Sequence, residues 1–124
     1  MSQIKLKQVL ENNRKWPLVI AGSSADDFDG VVLSARSGEK ELYKNGLYTP
    51  VWISALESEG ADMLVIEGLD EISPDEQENF ISLLKDRRAG TYKVSDHVQI
   101  VIPVKEKEKL SSKIQSLTIP WVMK

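Results

Sequence analysis

The sequence predicts an α/β domain built on a parallel or mostly parallel sheet of four or five strands with helices on both faces. Two observations lead there. PLVIAG (Pro17–Gly22), MLVIE (Met63–Glu67) and HVQIVIPV (His97–Val104) are continuous apolar runs, the pattern of strands buried on both sides. The segments between them place apolar residues at helical spacing instead.

In chain order, residues 3–15 read as a helix with Leu6, Val9 and Leu10 on one side. After the first strand, Asp26 or Asp27 caps an expected helix in which Phe28, Val31, Val32 and Ala35 repeat at i, i+3, i+4 and i+7. Residues 37–50 hold turn residues (Gly38, Asn45-Gly46, Pro50), with a short edge strand expected near Leu47–Ile53. A helical turn over Ile53–Glu59 stops at Gly60. The helix after the second strand is the best specified: Ser73 is the N-cap, Pro74 takes the first helical position and Glu76 completes a capping box. Phe80, Ile81 and Leu84 form its buried stripe, and Gly90 follows its end. Lys105–Ser116 reads as a short charged helix, and TIPWVM (Thr118–Met123) as a last strand that Pro120 assigns to an edge.

The chain has 124 residues, expected to form one domain over 1–124. No apolar run approaches the ~20 residues that span a bilayer, and MSQIKLKQVLENNRKW lacks the apolar core of a secretory signal. There is no cysteine, and His97 is the sole histidine, which argues against thiolate chemistry and a zinc site. A cytoplasmic protein without metal or cofactor is the expectation. The net charge of −3 conceals a segregation. Asn45–Leu84 carries nine acids (Glu57, Glu59, Asp62, Glu67, Asp70, Glu71, Asp75, Glu76, Glu78) and no base, whereas Lys85–Lys124 carries nine bases against four acids. Such asymmetry steers partners or neighbouring copies.

The order PLVIAG, helix, MLVIEGLDEI, SPDEQENFISLLKDR, VQIVIPV and KLSSKIQSL resembles the core of an AAA+ ATPase, a P-loop NTPase, of the clamp-loader or MoxR-like branch. The likeness runs from about Val9 to Trp121 and leaves out the helical lid domain. It implies that the last strand lies on the edge beside the first, with the three apolar runs adjacent at the centre.

The working positions depart from that family's pattern. A phosphate loop needs G-x-x-x-x-G-K-[ST], in which backbone N–H groups wrap phosphates and lysine neutralises them. In that register Asp27, Phe28 and Asp29 stand where glycine, lysine and the hydroxyl residue belong. Carboxylates there repel a polyphosphate. Glu67 and Gly68 occupy the places of the magnesium-associated aspartate and the water-polarising glutamate, and glycine cannot act as a base. Pro103 and Val104 stand at the polar sensor position, and Leu117 at the arginine finger. The scaffold resembles an ATPase, and its chemistry is expected to be lost.

His97 is read as a surface or capping residue, and Trp16, Trp52 and Trp121 as packing residues. Lys85, Arg87, Arg88 and Lys93 form a candidate interaction surface. Three functions follow. The first is a non-catalytic interaction module with a protein partner or self-association. The second is a nucleic-acid-binding accessory protein of replication or mobile-element type, using the basic C-terminal third. The third is an unorthodox nucleotide-binding enzyme around Glu67, Asp70 and Glu71.

Overall fold

The computed structural model describes residues 16–37, 42 and 49–122. Its centre is a five-stranded parallel sheet of β1 (Leu18–Ala21), β2 (Val31–Ser34), β3 (Met63–Glu67), β6 (Gln99–Val104) and β7 (Ile119–Val122). The order across it is β2-β3-β6-β1-β7, with β1, β3 and β6 central and β7 beside β1, as the sequence led us to expect. Registers are Val32 to Val65, Val65 to Val101, Leu18 to Val101 and Leu18 to Ile119. Pro120, which has no N–H for a ladder, sits on the terminal strand of that order.

Two crossover directions separate the faces. The chain runs from β1 past β6 and β3 to β2, then steps back through β3 and β6 to β7. Right-handed connections place these opposite movements on opposite faces. The backward steps are made by α1 (Val51–Glu59), by α2 (Pro74–Gln77) with α3 (Ile81–Asp86), and by α4 (Ser112–Ser116). Their residues Trp52, Ile53, Leu56, Leu83, Leu84 and Ile114 join Val19, Leu33, Leu64, Ile66, Ile100 and Ile102 in the larger core. On the other face Leu18, Ile20 and Val101 form a smaller cluster with Phe28, Met63, Ile119 and Trp121.

The forward crossover corrects one expectation. Residues 22–30 form no helix but a strap holding a single 3-10 turn at Ala25–Asp27, and Val31–Ser34 is a strand. Val31, Val32 and Ala35 fit a helical spacing, whereas Val31, Leu33 and Ala35 fit an alternating one. The strand wins because Val31 and Leu33 are buried while Val32 is exposed, and valine's branched side chain favours it. Gly30 permits the close approach of β2 to β3: a Cβ there would stand 2.9 Å from Met63 Cβ and from its carbonyl oxygen.

The capping box at Ser73 is present: the Glu76 N–H donates to Ser73 Oγ at 3.3 Å, and the Ser73 N–H to Glu76 Oε1 at 3.4 Å. The expected single helix is instead divided into α2 and α3 by a 3-10 turn at Glu78–Phe80. Gln77, fully buried, fixes that segment: its Nε2 donates to the Ile72 and Lys109 carbonyls at 3.1 and 3.0 Å, and its Oε1 accepts the Ser111 N–H at 2.7 Å. α1 starts at Val51 and is capped by left-handed Gly60, so Val51–Ile53, within the edge strand expected near Leu47–Ile53, are helical. The charged segment before β7 is a 3-10 turn at Lys107–Lys109 followed by α4. A hairpin of β4 (Arg88–Ala89) and β5 (Tyr92–Lys93), not anticipated from the sequence, follows α3. The helix expected over residues 3–15 lies outside the described residues. Among the described residues no helix is long and apolar enough to cross a membrane.

Candidate functional site

The carboxyl ends of β1, β3 and β6 open into a cleft of about 390 Å³. It is lined by Ser23, Ser24, Ala25 and Asp26 after β1, by Glu67, Gly68, Asp70 and Glu71 after β3, and by Pro103, Val104 and Lys105 at β6. The chain leaves β1 and β6 in opposite directions across the sheet, and open α/β sheets place ligands in such a crevice.

Five amides of the strap after β1 are already engaged. The N–H groups of Gly22 and Ser23 donate to the Val104 carbonyl at 2.9 and 3.4 Å, and that of Ser24 to Asp27 Oδ2 at 2.8 Å. Those of Asp27 and Phe28 close the 3-10 turn on the Ser24 and Ala25 carbonyls at 3.1 and 3.2 Å. Ser23 Oγ donates to the Ile20 carbonyl at 2.6 Å. A phosphate cradle needs convergent free amides at a helix N-terminus, and this strap offers a carboxylate at the position of the anion. Phe28 turns onto the smaller core, and Asp29 is exposed.

The acids after β3 are held from two sides. Arg36, just past β2, pairs through Nη2 with Glu67 and through Nη1 with Glu71, the latter at 2.8 Å. Gly68 adopts a left-handed φ of 81°, and a Cβ there would come within 3.1 Å of Arg36 Nε. Asp70, only 7% exposed, accepts the Lys105 N–H at 3.0 Å on Oδ2, with the Glu106 N–H at 3.5 Å. The structure thus gathers Glu67, Asp70 and Glu71 at one end of β3, but each has a structural partner. Among the described residues no group of three or more histidine, cysteine, aspartate or glutamate side chains could hold a metal ion. Pro103 and Val104 present apolar atoms to the cleft, and Leu117 caps α4 against the core.

The basic candidates divide. Arg87, in a left-handed conformation after α3, directs its guanidinium inward to the Ser95 and Val98 carbonyls at 2.5 and 2.6 Å. Burial lowers its pKa from the ordinary arginine value, and Asp96 opposes the shift. Arg88 and Lys93 are exposed cross-strand neighbours on the hairpin, and Lys85 is exposed in the last turn of α3. From the same basic third, Lys113 bonds Glu78 at 2.9 Å, and this hydrogen bond raises its pKa. Arg36 was missed because no local signal marks it: its partners lie more than thirty residues ahead. His97 is exposed, with Nδ1 2.7 Å from Ser95 Oγ. Trp52 is buried edge-on to Tyr92, with ring centroids 6.2 Å apart, Trp121 packs on the smaller core and Trp16 is exposed.

No protein-family model matches this sequence, and no curated protein matches it.

Proposed function

We propose that this chain is a non-catalytic, AAA-like interaction module, a scaffold or regulatory subunit acting in the cytoplasm through a protein partner or a second copy. The strand order, with the last strand beside the first, supports the AAA-like part. One observation carries the loss of nucleotide chemistry: the strap after β1 has no helix, and its Gly22, Ser23, Ser24, Asp27 and Phe28 amides are bonded inside the protein. Binding a polyphosphate there would require breaking those bonds and placing anions beside Asp26, Asp27 and Asp70.

The purified chain should neither hydrolyse ATP nor gain thermal stability from millimolar Mg-ATP. A ligand at a hundredfold excess over its Kd adds about 2.7 kcal/mol to the native state. A rise of several degrees in the melting temperature, removed by Glu67→Ala, would sink this reading in favour of the enzyme built on Glu67, Asp70 and Glu71.

A second reading draws on the hairpin. Arg88 and Lys93 face each other without an ion pair among the described residues, and like charges directly opposite are destabilising. With Lys85 they supply cations suited to phosphates. Nucleic-acid binding at low salt that falls steeply as salt rises, and is abolished by glutamine at Lys85, Arg88 and Lys93, would favour it. Loss of a protein contact by the same substitutions, with no nucleic-acid effect, would favour the scaffold.

A further inference from the structure

We infer that the cleft at the carboxyl ends of β1, β3 and β6 is a receptor for a lysine or arginine side chain presented by a basic segment of a protein partner. The inference deepens the proposed function by giving the partner's chemistry, and it rests on the interaction-module reading. The cleft's volume, about 390 Å³, falls in the range of small-ligand sites. Its wall includes Asp26, Glu67, Asp70 and Glu71 against Lys105, and with Arg36 counted on Glu67 and Glu71 the balance is still two negative charges.

An acidic surface alone would mean little, but Asp70 differs from the rest. The residue is only 7% exposed although it lines the cleft, and its hydrogen bonds to the Lys105 and Glu106 amides both fall on Oδ2. Oδ1 has no protein partner among the described residues, yet it is not among the oxygens sealed from solvent. Asp70 is one of the residues that line the cleft. A buried carboxylate oxygen without a donor costs free energy that a charge-assisted hydrogen bond recovers. Asp26, an exposed lining residue, also lacks a partner among the described residues. Between these acceptors Ala25, Val32, Pro103 and Val104 supply apolar atoms, and Val32 remains 48% exposed. Apolar walls leading to a buried anion fit an aliphatic stem with a cationic head. They fit a bare metal ion poorly. Arg36 on Glu67 and Glu71 shows that this rim already accommodates a guanidinium, supplied from within.

The test uses the full chain and a fluorescent tetra-arginine peptide at 150 mM salt, followed by anisotropy, with amide spectra recorded on adding ethylguanidinium. Saturable binding is expected, with amide shifts concentrated at Ser23–Asp26, Gly68–Glu71 and Lys105. Asp26→Asn with Asp70→Asn should weaken peptide binding at least tenfold. Asn at position 70 keeps an oxygen for the Lys105 amide. Glu57→Gln with Asp75→Asn, which removes the same charge away from the cleft, should change it less than twofold. Arg36→Gln, which frees Glu67 and Glu71, should tighten binding severalfold. Equal losses in the two double variants, shifts scattered over the acidic surface, or displacement of the peptide by millimolar magnesium would each overturn the assignment. Failure here with no response to Mg-ATP removes only the cationic ligand. Stabilisation by Mg-ATP removes the proposed function itself.

Discussion

The two faces of the sheet are covered by different means. On one, α1, α3 and α4 bring whole side-chain stripes onto Leu33, Leu64, Ile66, Ile100 and Ile102. On the other, the crossover from β1 to β2 is a strap in which Phe28 is the apolar residue that joins the cluster of Leu18, Ile20 and Val101. Helices clamp their face through repeated contacts and buried polar ties such as Gln77. The strap is tied mainly at its start, where the Gly22 and Ser23 amides meet the Val104 carbonyl at the edge of the cleft. The difference teaches that one parallel sheet can be covered on one face by packed helices and on the other by a short connection tied through a few backbone bonds.

Paired truncations test this most strongly. Ile102 and Ile20 are both fully buried isoleucines on adjacent strands, the first in the helix-covered core and the second under the strap. Ile102→Ala should cost about 4 kcal/mol, because helices locked on both sides cannot collapse into the cavity. Ile20→Ala should cost about 2–3 kcal/mol, since a nonhelical cover can follow the lost volume. Denaturant unfolding measures both, and equal costs would break the comparison.

Gln77→Leu sharpens it from the helical side. The substitution leaves the Ser111 amide and the Ile72 and Lys109 carbonyls without their partner, and about 2–3 kcal/mol should be lost. A loss below about 0.5 kcal/mol would mean that water replaces the amide without difficulty. On the strap, Phe28→Ala should cost about 1–2 kcal/mol, less than the ~3–5 of a fully buried phenylalanine, because the ring is only half-buried.

How much of this was legible depended on how local the signal was. The central strands could be read because each is buried on both sides and so apolar throughout, and the Ser73 cap because its partners lie within one turn. β2 was misread because Val31 and Ala35 are four residues apart and satisfy both periods, and the burial of Val31 and Leu33 with Val32 exposed, which decides for a strand, is a tertiary fact. The hairpin was missed because its strands are two residues each, with Gly90-Thr91 the sole turn signal. At the site, the acids after β3 were named from the sequence, but Arg36 and the buried state of Asp70 are tertiary facts. Arg87 was grouped with surface cations because nothing local shows that a left-handed residue after a helix will turn its side chain onto distant carbonyls.

The smallest expected effect concerns Tyr92, on the helical side. Its ring is half-buried beside Trp52, and burial first, then the nearby Glu57 charge, raises its pKa above the ordinary value near 10. The folded chain therefore holds the phenolic proton more tightly than the unfolded chain does. That contribution to stability is fully present below the unfolded pKa and is lost as pH rises through the folded one. Melting temperatures recorded between about pH 9 and 12 should fall less steeply for Tyr92→Phe than for the parent, although lysines and the other tyrosines titrate in both. Glu57→Gln should reduce the difference without abolishing it, since burial is the larger cause. Superimposable alkaline slopes for parent and Tyr92→Phe would show that the contact between α1 and the hairpin does not shield this phenol, and would bring the two faces closer in tightness than their covering elements suggest.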